Sequence, residues 1–338
     1  MVRQQLSSAF QRAGAFAHLA AVVRSLGGSP ARVSNGLDID LDTLAADDLL
    51  PFADCLVLLE RAAEQTGCGH IGLLMGAEYR WAQHGIIHRL AKEAPTLREA
   101  LQDFVNWQRG YTSGAAVYLH RFGQDFALGY GIYDRVSPGS RHLYEAVVAI
   151  GCDMLRDLTG GRVAPLEVHL CHAGPQDAAV YQRILRAPVR FNQIQSCLIV
   201  PGADIDLPRR MANPDRRQDL IAQITQMLGL PAGQMGARVR HLVRSRLLRG
   251  DPSMAGMARS LGLGARTLRR RLAAEGTVFE TIRDEVRFNA ARELLALTDL
   301  PVGEIADALA FASHSAFGQA FRRWSGTSPT DWRHLTAG

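Results

Sequence analysis

The last hundred residues repeat themselves at an offset of 48 to 49 positions, and that repeat limits the fold more than any other feature of the chain. Met257-Ala258 with Leu261-Gly262-Leu263 returns 48 positions later as Ile305-Ala306 with Leu309-Ala310-Phe311. Leu268 and Leu272 return 49 positions later as Phe317 and Phe321, so the additional residue falls in a turn. Self-similarity of this kind marks one supersecondary unit used twice. Each copy reads as helix, tight turn, helix. The first helix buries a Met-Ala or Ile-Ala pair and the second buries two large apolar residues, a pattern that predicts two helix-turn-helix motifs.

Between the copies the spacing predicts a helix over 278–297, with Thr277 and Glu280 as a capping box and Phe279, Ile282, Val286, Ala290, Leu294 and Leu297 as its apolar stripe. Some 20 residues at about 1.5 Å each span roughly 30 Å, close to the ~34 Å repeat of B-DNA. A rigid spacer of that length can set two helices in successive major grooves on one face of a duplex. In the first copy, a helix from Ala265 stacks Leu268 and Leu272 on one side and gathers Arg266, Arg269 and Arg270 on the other. Taken alone such a cluster reads more readily as a solvated face; the repeat and the spacer turn it into a reading head. Charge agrees. Residues 236–338 carry 16 Arg against 10 Asp and Glu, a net of +6, whereas residues 1–235 carry 22 basic and 23 acidic groups, a net of −1.

A chain of 338 residues is long enough for two cores. Residues 6–109 show mostly helical spacing: Phe10, Ala13, Phe16, Ala17 and Ala20 on one face, a helix over 51–65 closed by Gly67, and a helix from an N-cap at Thr96 with Glu99. The character then changes. Residues 116–122 and 126–133 read as a hairpin about Gly123-Gln124-Asp125, followed by a helix over 141–158, a strand over 166–170, a helix over 177–185 and short strands over 189–191 and 197–200. The expected fold class is therefore an α+β N-terminal domain of about five strands plus an all-α C-terminal domain with two helix-turn-helix motifs joined by a long helix. The boundaries expected are 1–210 for the N-terminal domain, 211–235 for a coupling or dimerisation helix and linker, and 236–338 for the DNA-binding domain. In the middle segment Leu220, Ile221, Ile224 and Leu228 form a stripe that fits a dimer contact or packing on its own domain equally well. Gly229-Leu230-Pro231-Ala232-Gly233 reads as the linker.

The run Ala258-x-x-Leu261-Gly262-x-x-x-Arg266-Thr267-Leu268-x-Arg270-x-Leu272, with Arg287-x-x-x-Ala291, and then Ile305-Ala306-x-x-Leu309-x-Phe311, Phe317, Phe321, Trp324-x-Gly326-x-Ser328-Pro329-x-x-Trp332-Arg333, resembles the DNA-binding domain of the AraC/XylS family of bacterial transcription regulators. The upstream part, with its helical start and Ala94-Pro95-Thr96-Leu97-x-Glu99-Ala100-Leu101, resembles the longer effector domain of the ornithine-utilisation and mycobacterial-virulence subgroup rather than a short cupin-like sugar module. The chain departs from the family at Gly264, where a capping serine is usual, at Ala310 in place of the turn glycine, and at Gly318 and Gln319, where serine and arginine are common. An alanine at a turn that needs φ > 0 is strained.

Arg presents paired donors to guanine and Gln pairs with adenine in the major groove. With the resemblance, this assigns base contacts to Arg266, Arg269 and Arg270 in the first reader and to His314, Ser315 and Gln319 in the second. Ser313, Arg322 and Arg323 are assigned to phosphates, with Arg271 between a phosphate and an internal partner. An effector pocket is expected where the helices meet the hairpin, from Trp81, His84, His88, Arg109, Tyr111, Tyr130 and Tyr133. The partners expected are double-stranded DNA and a small-molecule effector; RNA polymerase and a second copy of the chain are left open, and an N-terminal domain that binds a protein or acts catalytically is the alternative.

No cofactor and no metal are expected. His169-x-Cys171-His172 and Cys68-x-His70 bring soft ligands close in sequence, but strand alternation sends His172 to the face opposite His169 and Cys171. No nucleophile elbow, phosphate loop or His-Glu-x-x-His helix appears, so no enzymatic activity is expected. Five cysteines, odd in number and without a Cys-x-x-Cys pair, fit a reduced, cytoplasmic compartment, and no apolar run approaches membrane-spanning length.

Overall fold

The computed structural model describes residues 9–132, 139–175, 178–209, 212–227, 235–247 and 253–336 of the 338. Apolar side chains between Ala13 and Ile205 gather into one large core, and those between Met235 and Phe321 into another.

Strand β1 (Phe10–Arg12) pairs antiparallel with β2 (Leu49–Pro51). The first apolar face is therefore not one helix from Phe10. Gly14 takes φ 43° and divides the segment into the strand, a 3-10 turn at Gly14–His18 and helix α1 (Leu19–Ser25). The short α2 (Pro30–Val33) precedes α3 (Phe52–Thr66), which starts after Pro51 and ends at Gly67. Next come α4 (Ile71–Glu78), a 3-10 turn at Trp81–His84, α5 (Ile86–Lys92) and α6 (Leu97–Trp107). Thr96 caps α6 as expected, its Oγ1 accepting from the Glu99 N–H at 3.2 Å.

The hairpin of β3 (Ala115–Phe122) and β4 (Asp125–Ile132) closes in two residues, with Phe122 opposite Asp125. After α7 (Ser140–Thr159) follow β5 (Glu167–His169), α8 (Ala179–Leu185), β6 (Val189–Arg190) and β7 (Ser196–Val200). These strands form one five-stranded sheet in the order β3-β4-β7-β5-β6, antiparallel except for β5 with β6. Helix α7 lies between this sheet and α4. A Cβ at Gly72 or Gly76 would come within 1.8 Å and 2.4 Å of the α7 backbone at His142 and Ala146, so glycine there is what lets α4 and α7 touch.

Helix α9 (Pro214–Met227) packs back on the same half. Leu220 and Ile224 are buried with Leu90, and the Arg217 guanidinium donates to both oxygens of Asp103 at 2.8 and 2.9 Å. Leu228 and the expected linker 229–233 lie outside the described residues.

The C-terminal half is α10 (Met235–Arg246), α11 (Met254–Ser260), α12 (Ala265–Ala274), α13 (Phe279–Leu297), α14 (Val302–Ala308), α15 (His314–Ser325) and α16 (Pro329–Thr336). The spacer α13 begins at Phe279 behind an extended Val278 with no side-chain cap, so the expected Thr277–Glu280 box is not formed. Instead Glu275 turns to α10, where its carboxylate accepts from the Met235 and Gly236 amides.

Candidate nucleic-acid interface and ligand cavity

The two repeats share their backbone geometry. The Gly262 and Leu263 amides donate to the carbonyls of Arg259 and Ala258 at 3.1 and 2.9 Å, and 48 residues later Ala310 and Phe311 donate to Asp307 and Ala306 at 3.0 and 3.1 Å. This is a left-handed helix-ending turn made twice. Gly262 adopts φ 65° without cost, whereas Ala310 takes φ 56° with a side chain. Arg287 of α13 supports the strained turn, donating to the Ala310 carbonyl at 3.1 Å with its guanidinium 4.8 Å over the Phe311 ring.

Behind the turns, α12 buries Leu268 and Leu272 fully and α15 buries Phe317 and Phe321 fully. Their outer faces are open. Arg266, Arg269, Arg270 and Arg271 are exposed on α12, and His314, Ser315, Gln319, Arg322 and Arg323 on α15. Helix α12 starts at Gly264 with no side-chain cap, while the Ser313 hydroxyl caps α15 by accepting from the Ala316 amide at 3.1 Å. Arg323 donates to Asp284 at 2.9 Å in an exposed pair that a phosphate can displace at little cost.

The N-terminal half encloses a cavity of about 80 Å³ between α7, the 3-10 turns and the inner face of β3, β4 and β7. Its polar end is a chain of hydrogen-bonding rings. The Tyr79 hydroxyl sits 3.1 Å from His84 Nδ1, His84 Nε2 sits 3.2 Å from Gln108 Oε1, and the Tyr111 ring stacks on His84 at 4.1 Å. Burial holds His84 neutral, its pKa pushed down to about 3, and raises the Tyr111 phenol to about 12. Of the expected pocket residues, His84, Tyr111 and Tyr130 line this cavity. Trp81 stands behind it, stacked on His84 at 4.4 Å, and His88 faces Asp157 at 3.1 Å. Tyr133 and the side chain of Arg109 lie outside the described residues. Gln11, Tyr79 and Gln108 line the cavity and were not singled out from the sequence.

The soft-ligand motif is occupied otherwise. His169 faces Glu167 at 2.9 Å, the Cys171 thiol donates to Glu293, and His172 Nε2 lies 3.5 Å from Glu145.

Residues 27–209 match the family model described as the arabinose-binding domain of AraC transcription regulator, and residues 257–334 match a helix-turn-helix domain model. The first match alone spans more than half of the chain. The chain belongs to the AraC family of transcription regulators. Among its relatives are the ornithine utilization regulator of Pseudomonas aeruginosa, 29% identical with 84% of each chain covered, and VirS of Mycobacterium tuberculosis, 27% identical over 92% of this chain and 93% of that one. An uncharacterized regulator of M. tuberculosis, Rv1395, is 33% identical over 81% of this chain and 80% of its own. Among solved structures, the regulator CdpR of P. aeruginosa covers 78% of this chain and 86% of its own at 26% identity and a TM-score of 0.40. The family works by binding DNA, and its members found here are regulators rather than enzymes. No helix among the described residues is long and apolar enough to cross a membrane.

In this AraC-family chain the DNA-binding half meets the N-terminal half through a closed ring of hydrogen bonds. Arg244 of α10 and Glu293 of α13 form a buried pair at 3.0 Å. Arg244 Nε donates to the Ile132 carbonyl at 3.3 Å, the Ile132 amide donates to the Tyr144 hydroxyl at 3.2 Å, and Tyr144 donates to Glu293 at 2.5 Å. The guanidinium packs against Gly131, where a Cβ would come within 2.7 Å of it. A second contact flanks the ring, the Ala173 amide donating to the Leu297 carbonyl at 2.9 Å and the Asn192 side chain bonding to Asp299.

Proposed function

We propose that this regulator reads DNA with α12 and α15 in successive major grooves and that a small molecule in the N-terminal cavity modulates that binding. The repeated helix-turn-helix geometry, with both second helices exposed on their polar sides, is the observation that carries the reading. In it Arg266, Arg269 and Arg270 read bases from α12, and His314, Ser315 and Gln319 read them from α15. Arg271, Arg322 and Arg323 hold phosphates, and Ser313 adds the helix N-terminus it caps. The division is residues 1–210 for sensing and 236–338 for DNA, with α10 opening the DNA-binding unit. Leu220 and Ile224 of α9 are covered by their own half, which supports a coupling role for α9 over a dimer stripe.

The seam supports the modulation. Tyr144 and Ile132 belong to α7 and β4, and both elements also wall the cavity through Leu143, Ala146, Leu128 and Tyr130. A ligand that prefers one arrangement of α7 against β4 shifts the population of DNA-competent seams through its differential affinity. Sequencing the DNA that the full-length protein selects from a random pool tests the core of this reading. A motif with two half-sites about one helical turn apart is expected, and selection of no common sequence would overturn it.

A further inference from the structure

Among the described residues that line the cavity there is no Asp, Glu, Lys or Arg. Its lining is mostly apolar, with small residues such as Ala13, Ala15 and Ala146 beside larger ones such as Met154 and Leu198. Tyr79, His84, Gln108 and Tyr111 form one polar end, where Tyr79, His84 and Gln108 already bond to one another, and elsewhere the polar lining residues are Gln11, Tyr130, Cys197 and Ser196, whose hydroxyl is taken by the Cys171 thiol. The imidazole at the centre of that end is buried and neutral. We propose that the cavity binds an uncharged, largely apolar molecule of about six to eight non-hydrogen atoms with a single hydrogen-bonding group directed at the Tyr111–His84–Gln108 end.

The class follows from what the wall can and cannot compensate. A ligand carboxylate or ammonium would leave water for a lining with no countercharge, which is strongly unfavourable. A sugar would leave most of its hydroxyls without partners, for most of the lining is apolar. An alkyl chain or a small ring loses nothing on entering, and one hydroxyl or carbonyl can join the existing chain of ring and amide groups. The size follows from the volume. One water-sized position takes roughly 10–15 Å³, so the 80 Å³ cavity holds on the order of six atoms before its walls move.

The inference rests on the reading of this cavity as the effector site, and the experiment separates the two. Saturation-transfer difference NMR on the full-length protein at pH 7 compares hexan-1-ol, hexanoate and hexylammonium, which share one chain and differ in charge, alongside L-arabinose and L-ornithine. Two variants fill the cavity from two different elements, Ala15→Leu from the first 3-10 turn and Met154→Phe from α7, each checked for folding by circular dichroism. Saturable binding of hexan-1-ol, at least tenfold tighter than hexanoate or hexylammonium and lost in the folded filled variants, is the expected result. If a charged hexyl compound, arabinose or ornithine binds as tightly and is lost in the same variants, the ligand class is overturned and the effector site stands. If none of the five binds, or binding survives in both filled variants, the cavity is not the ligand site and both readings fall.

Discussion

Replacing Arg244 by Met keeps an unbranched, flexible stem, though a shorter one, and removes the charge from the seam. The side chains of Arg244 and Glu293 are only 6% and 5% exposed, so the loss is that of a buried pair. Removing one partner of a buried pair costs about 3–5 kcal/mol because the other charge is left uncompensated, against about 0–1 kcal/mol for an exposed pair. The Glu293 carboxylate would keep only the Tyr144 hydroxyl and the Cys171 thiol as donors in the ring, and the Ile132 carbonyl would lose the guanidinium as a donor. Urea unfolding of the full-length protein, followed by circular dichroism, should therefore show Arg244→Met destabilised by about 3–5 kcal/mol. The double variant Arg244→Met/Glu293→Leu should recover most of that loss, since replacing both charges by apolar groups is near neutral. A cost below about 1 kcal/mol for the single variant, or a double variant equal to the sum of the two singles, would refute the reading of this ring as a buried, coupled unit.

Arg270→Ala should weaken binding to the selected DNA by about 1–3 kcal/mol and relax preference at one base pair; equal weakening on specific and random DNA in a gel-shift titration would remove it from the base readers. Arg323→Ala should weaken both kinds of DNA alike and reduce the salt slope of binding by about one, and an unchanged slope would contradict its phosphate role. Ala310→Gly should raise the melting temperature, because relieving a left-handed alanine returns roughly 1–2 kcal/mol while glycine forfeits roughly 0.5–1 kcal/mol of chain entropy; a lowered midpoint would show that the turn carries no strain. Because α12 offers three outward arginines where α15 offers His314, Ser315 and Gln319, Arg266→Ala/Arg270→Ala should cost more affinity than Ser315→Ala/Gln319→Ala, and equal losses would refute that ranking.

The repeat was legible because it is local: period, turn and stripe are all written within each 48-residue unit, and even the strain at Ala310 could be anticipated from its alignment with Gly262. The hairpin and Thr96 cap were legible for the same reason. The first helix was misjudged because Gly14 leaves the helical region, and the pairing of Phe10–Arg12 with Leu49–Pro51 is long-range, which periodicity cannot see. Thr277 was misjudged because Val278 is extended at the start of α13 and no side-chain cap forms there. The seam was missed although one signal for it was present. Glu293 stands on the α13 stripe at helical spacing from Val286, Ala290 and Leu297, and a carboxylate on an apolar stripe asks for a buried partner. Its partner Arg244, in the unanticipated α10, could not be paired with it from sequence. Aromatic and histidine content located the polar end of the cavity at His84 and Tyr111, but Gln11 and Gln108 reach it only through tertiary packing.

Hydroxyl-radical footprinting of the full-length protein on its selected DNA tests the central claim directly. The 19-residue α13, about 28 Å long at 1.5 Å per residue, should produce two protected patches on one face of the duplex, centred about 10 base pairs apart. One patch should vanish in Arg266→Ala/Arg270→Ala and the other in Ser315→Ala/Gln319→Ala. A single patch of about one half-site, or two patches that both survive these substitutions, would contradict the account.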